Sequence, residues 1–183
     1  MSTDTPTRAV SSIADPGPLG LAGFAMTTFV LSFHNTGLFH VTPVVFGLAI
    51  FYGGIAQLAA GMWEFVKGNT FGATAFASYG AFWLSFWYLN TKTDLGSNAN
   101  DVNHSLGLWL LAWFIFTLYM FVASLKTNPF LMAVFFLLAI TFILLSIGNW
   151  SDTPNIVKVG GWVGIATAVA AWVTSFRGVY LSL

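Results

Sequence analysis

The chain has 183 residues, of which 57% are hydrophobic and 7% charged, with no cysteine and a mean hydropathy of +0.79. A soluble domain carries about 25% charged residues, so this composition is that of an integral membrane protein, and disulfides, thiolate chemistry and cysteine-based metal sites are excluded. Six Lys+Arg against six Asp+Glu leave no net charge, so no basic surface is offered to nucleic acid.

Residues 1–14 are polar, rich in Ser and Thr, with Arg8 as their one base. They lack the basic-then-apolar order of a signal peptide and are expected to form a short disordered tail. A transmembrane domain is expected over 15–176 and a short C-terminal tail over 177–183. Asp15-Pro16-Gly17-Pro18 then heads the first apolar run, Pro18 to Phe33. Proline costs little in the first helical turn, and backbone N–H groups there favour a carboxylate. Gly20 and Gly23 permit close approach beside the helix. The run has only 16 residues, about 24 Å of helix; His34 and Asn35 fall where it ends, as cap or interfacial residues, and Thr36-Gly37 follows as the helix stop.

Five further runs follow: Val44 to Phe65, Gly72 to Leu89, Leu106 to Leu125, Pro129 to Ile147 and Val159 to Phe176. Most approach the roughly 20 residues that cross a hydrocarbon core. No strand-length alternation is present, so the fold class is an all-α membrane protein with six transmembrane helices. Connections are short except Asn90 to Ser105, which is expected to be an exposed loop. An even number of spans puts both termini on one side. With that side cytoplasmic, Arg8, Lys67, Lys126 and Arg177 fall inside and Lys92 and Lys158 outside, as the positive-inside rule favours.

Few polar side chains interrupt the spans. Glu64, the one acid well inside a run, either pairs with Lys67 in the headgroup region or faces an aqueous pathway. Gln57 lies two turns earlier on nearly the same face, as a helix-to-helix hydrogen bond or as pathway lining. Gly53, Gln57, Gly61 and Glu64 form a stripe that favours the pathway. Ala73, Ala77 and Ala81, and Gly160 with Gly164, allow close packing within or between protomers. Trp63, Trp87, Tyr88, Trp150 and Trp162 have the placement of interfacial anchors. Phe24 and Tyr79 lie inside their runs, where composition alone favours passive packing. His34, His40 and His104 have no acid or cysteine at ligand spacing, so no metal site or other cofactor is expected. Phosphate-binding loops, HExxH and intramembrane-protease patterns are absent. A channel or secondary carrier, or a structural membrane protein, therefore suits the chain better than an enzyme.

PxPLGLxGF at Pro16 to Phe24, HNTG at His34 to Gly37, FYGGIAQLAAGMWEF at Phe51 to Phe65, KGNTFGATAFASYGAFW at Lys67 to Trp83 and LGLW at Leu106 to Trp109 occur in order. Together they resemble the acetate uptake transporter family, the succinate-acetate permeases of bacteria and archaea and their fungal relatives. The resemblance implies a six-helix protomer with its own central pathway, assembled into a homo-hexameric ring in the cytoplasmic membrane. It implies passage of acetate, and in some members succinate, that is proton-coupled or channel-like. The family's constriction matches Phe24, Tyr79 and Leu138, which reverses the passive reading of the first two; the Tyr79 hydroxyl is expected to be available as a donor. Thr27, Asn35 and Gln57 are candidate pathway groups, and Glu64 is assigned to coupling or structure. The first motif begins with Asp15 where the family usually has Asn, which keeps a capping acceptor and adds a charge. A broader monocarboxylate or formate channel and a structural membrane oligomer remain the alternatives.

Overall fold

The computed structural model describes residues 13–40 and 42–183. The tail expected over 1–14 therefore lies almost wholly outside the described residues, as does Arg8. The elements are α1 (Gly17–Asn35), α2 (Thr42–Ile50), a π-helical segment (Phe51–Ala56), α3 (Gln57–Lys67), α4 (Thr70–Thr91), α5 (Ala99–Ser124), α6 (Pro129–Trp150) and α7 (Pro154–Tyr180). Among the described residues, four stretches are long and apolar enough to cross a membrane: Pro43–Lys67, Ala99–Ser124, Pro129–Trp150 and Pro154–Tyr180. The chain is thus an all-α membrane protein, with α1 and α4 as two further helices of 19 and 22 residues.

Local chemistry sets the ends. Asp15 Oδ1 accepts the Gly17 N–H at 2.9 Å where α1 begins, and Gly37, at φ +77°, ends it with its N–H on the His34 carbonyl. The stop at Thr36-Gly37 is therefore where the sequence puts it, but His34 and Asn35 lie inside the helix, which at 19 residues spans about 29 Å. Asn69, Asn98 and Asn128 each accept backbone N–H groups at the starts of α4, α5 and α6, the usual service of an Asn cap.

Three boundaries differ from the sequence reading. The expected loop over Asn90 to Ser105 is mostly helical: α5 starts at Ala99, because Asn98 caps it and Asp101 complements the helix dipole in the first turn. Of the tail expected over 177–183, residues 177–180 instead continue α7, which ends at Tyr180. The second run is not one regular helix but α2, a π turn and α3 in series. At Gly53 the lack of a side chain lets the π segment close on α1 and α4, since a Cβ there would lie 2.5 Å from Thr27 Oγ1 and 2.8 Å from Trp83 Cδ1.

The helices form a closed ring in the order α1, α2–π–α3, α4, α5, α6, α7 and back to α1. Small residues bring neighbouring backbones together inside the chain: a Cβ on Gly61 would lie 2.5 Å from the Ala77 nitrogen, and one on Gly161 2.6 Å from the Thr36 nitrogen. Between α4 and α5 the backbones stay apart and rings fill the space, with Phe82 stacked on Trp109 at 4.9 Å. Trp63, Tyr88, Trp150 and Trp162 are exposed, and Trp87 is half-buried beneath the Lys92 ammonium.

Candidate functional site: a charged mouth on an aromatic cavity

The ring of helices encloses a cavity of about 300 Å³ whose lining includes Asp15, Pro18, Phe24, Gln57, Glu64, Lys67, Asn69, Tyr79, Asn128, Leu138 and Arg177. Such a volume lies at the small end of ligand pockets, about 300–1,000 Å³. Phe24, Tyr79 and Leu138 come from α1, α4 and α6, far apart in sequence, and all three are buried. The Phe24 and Tyr79 rings lie 5.7 Å apart, tilted by 52°.

The Tyr79 hydroxyl is held by a neighbouring helix. It lies 2.9 Å from Thr117 Oγ1, while Thr117 Oγ1 donates to the Trp113 carbonyl at 2.7 Å. A hydroxyl has one hydrogen to give, so Thr117 accepts from Tyr79 and the Tyr79 proton is already committed. The expectation of a free Tyr79 donor is thereby corrected; the residue offers the cavity its ring. Sequence reasoning missed Thr117, since its pairing with Tyr79 joins α4 to α5 across 38 residues.

Gln57 is 1% exposed, lines the cavity, and its Oε1 has no hydrogen-bond partner. A buried amide oxygen without a donor costs about 1–3 kcal/mol, which a bound donor group would recover. Glu64 is equally buried, and Asn69 Nδ2 donates to its Oε2 at 2.8 Å while Asn69 Oδ1 caps α4 through Gly72 N–H. The cap of one helix thus orients the carboxylate of another. The pairing of Glu64 with Lys67 is not formed: Lys67 Nζ instead donates to Asp15 Oδ1 at 2.8 Å, because Lys67 closes α3 beside the start of α1. Burial alone would raise the pKa of Asp15, but the hydrogen bonds from Lys67 and Gly17 and the ammonium charge together hold it below the usual carboxylate range.

The remaining candidates separate. Thr27 is fully buried and donates to the Gly23 carbonyl at 2.9 Å; it does not line the cavity. Asn35 lies at the other end of α1, in a shallow hollow with Asn103, Asn149, Asp152 and Lys158. Pro16 supplies the carbonyl that receives the Gly20 N–H at 3.1 Å. Gly20 faces the Phe76 ring and Gly23 the Tyr52 carbonyl, where an added Cβ would lie 2.7 Å and 2.6 Å away. Of the glycine and polar stripe on the second run, Gln57 and Glu64 line the cavity and Gly53 and Gly61 pack against neighbours. Asn128, the cap of α6, and Arg177 of α7 join the lining; the Arg177 guanidinium sits 4.6 Å above the Phe130 ring. The asparagine before Pro129 was the legible signal for the first, and Arg177 was hidden by being assigned to a tail.

Residues 2–182 match the model of the GPR1/FUN34/yaaH family. The chain belongs to this family. Among GPR1/FUN34/yaaH relatives, the Escherichia coli K12 succinate-acetate/proton symporter SatP is 44% identical over 161 residues, covering 88% of this chain and 86% of SatP. The yeast proteins accumulation of dyads protein 2 and ammonia transport outward protein 2 are 45% and 44% identical over 180 residues, 93% of this chain. This chain spans about 62% and 63% of their lengths. The structure of the bacterial acetate channel SatP superposes with a TM-score of 0.84 at 44% identity, over 90% of this chain and 91% of that one. SatP is thus described both as a symporter and as a channel, and one of the two yeast proteins is named for ammonia transport.

Proposed function

We propose that this chain transports acetate, and succinate with it, across the cytoplasmic membrane, through the ring's own interior, with both termini on the cytoplasmic side. Six membrane-spanning helices form the protomer, and six protomers form a ring. The observation that carries the reading is the convergence of Phe24, Tyr79 and Leu138 with Gln57, whose Oε1 is unpartnered, on one cavity, in a chain 44% identical to a bacterial acetate channel of the same fold.

The chemistry of the site suits a small carboxylic acid. Acetate has a methyl group, which an aromatic and aliphatic wall accommodates, and a carboxyl whose hydration is costly to strip. Phe24, Tyr79 and Leu138 act as a constriction by size and dryness. The intrinsic acidity of acetate resembles that of Glu, near 4.3, so mild acid raises the neutral fraction, which crosses a dry constriction more cheaply. The neutral acid also carries an O–H donor, the group that Gln57 Oε1 lacks, whereas the anion offers it none. Glu64, fixed by Asn69, serves coupling or the shape of the mouth; protons are co-substrates.

Purified protein in liposomes tests this. Saturable acetate uptake, competed by succinate, faster at about pH 5 than at about pH 7, and altered in selectivity by Phe24→Ala, is the expected result. Uptake unchanged across that range removes the proton, preferential formate uptake makes the protein a formate channel, and no carboxylate flux makes it a structural oligomer. Glu64→Gln with unchanged flux and pH profile leaves Glu64 no coupling role.

A further inference from the structure

The mouth of the cavity is built from four charged side chains. Asp15, ahead of α1, pairs with Lys67 at the end of α3. Glu64 lies one turn before Lys67 on α3, and Arg177 comes from the last turn of α7. These ends meet in space, since Ser175 Oγ donates to the Pro18 carbonyl at 2.7 Å. Gly17 sits between the two carboxylates: a methyl group there would lie 3.1 Å from Asp15 Oδ1 and 3.4 Å from Glu64 Oε1. Gln57, whose Oε1 is buried and unpartnered, lines the same cavity.

We propose that Asp15 is a specificity-determining residue: an internal counter-anion that neutralises Lys67 at the mouth and so disfavours dianions more than monoanions. This rests on the transport reading given above. Coulomb energy scales with the product of charges, so a fixed carboxylate opposes succinate, with two charges, about twice as strongly as acetate, with one. Asp15 is also ideally placed to be replaced without disturbing the backbone. Asn has the same shape, and its side-chain oxygen can still accept the Gly17 N–H that Asp15 holds at 2.9 Å, while the charge on Lys67 is left uncovered for a passing anion. The carboxyl of Asp15 is held below its ordinary range by Lys67 and Gly17 despite the opposing effect of burial, so at neutral pH it is ionised and its charge is a constant of the mouth.

A merely structural latch between α1 and α3 makes a different prediction. Losing either partner would then break the same contact, and Asp15→Asn and Lys67→Gln would change transport in the same direction. A charge filter makes their effects opposite, because one variant uncovers a cation and the other an anion.

The experiment measures initial uptake of labelled acetate and succinate by the full chain in liposomes at about pH 7.5, where both carboxyls of an ordinary dicarboxylic acid are ionised. The succinate-to-acetate ratio of kcat/KM should rise about three- to tenfold in Asp15→Asn and fall by a similar factor in Lys67→Gln. The double variant, whose mouth has the native net charge, should return to within about twofold of the native ratio. Ratios moving together in the two single variants, or staying fixed in both, overturn the filter while leaving acetate transport by the native chain intact. Absence of any carboxylate uptake by the native chain overturns the transport reading and the filter with it. Should Asp15→Asn fail to fold, Asp15→Ser, which keeps a side-chain acceptor near the Gly17 N–H and removes the charge, takes its place in the same comparison with Lys67→Gln.

Discussion

The two ends of the helix ring are built from different chemistry. At one end Asp15, Glu64, Lys67 and Arg177 stand at the opening of a cavity that runs down to Phe24, Tyr79 and Leu138. At the other, Asn35, Asn103, Asn149, Asp152 and Lys158 line a shallow hollow shared by none of those residues. Both ends are polar, and sequence alone would rank Asn35 with Gln57 as lining. The difference is in what stands behind the polar groups. Asn149 Nδ2 donates to the Leu145 carbonyl and Asn103 Nδ2 to Asp152, so those amides tie the chain to itself. Gln57 Oε1, on the lining of the cavity, has no such partner.

Substitutions break that contrast at graded cost. The largest effect is expected at Gly23, where an alanine Cβ would come within 2.6 Å of the Tyr52 backbone oxygen. Gly23→Ala must push α1 off the π segment and should lower stability by about 2–3 kcal/mol, whereas Gly47→Ala, with nothing within 4 Å, should change it by less than about 0.5 kcal/mol. Detergent-resistant thermal unfolding of both variants checks the pair.

Gln57→Leu separates function from stability. Removing an unpartnered buried acceptor relieves a desolvation cost, so the variant should be as stable as the native chain or more so, while acetate uptake falls about tenfold, equivalent to about 1.4 kcal/mol of lost interaction. A stability loss above about 1 kcal/mol would mean that Gln57 holds helices together after all. Tyr79→Phe should act more mildly: it deletes the bond to Thr117 and costs about 1 kcal/mol of stability, and because the ring rather than the hydroxyl faces the cavity, uptake should stay within about threefold of native. The smallest change is expected from Asn35→Ala at the far hollow, with acetate uptake within about twofold. A tenfold loss there would place a second polar site on the pathway.

Much of the architecture was legible because hydrophobic runs of bilayer length admit only one kind of backbone, the helix, which satisfies its own amides. The stop at Gly37 and the caps at Asn69 and Asn128 are local chemistry and follow from the residues themselves. The start of α5 was harder to see, since Asn, Asp and His between Ala99 and Ser105 look like loop by composition while the cap at Asn98 makes them helix. Continuation of α7 through Arg177 was masked in the same way, because a charged residue near the end of an apolar run can be the last turn as well as the first residue beyond it.

By itself the sequence determined an all-helical membrane chain, the order and approximate extent of its helices, and, through ordered motifs, its family. Tertiary structure decided which polar groups share a space. Lys67 pairs with Asp15 across 52 residues and not with Glu64 three residues away, and Tyr79 gives its proton to Thr117 on another helix. Helical periodicity fixes the face a side chain occupies but not the neighbour that face meets. Close approach at Gly23, Gly53 and Gly61 selects those neighbours, and so decides that one polar end opens into the ring and the other does not.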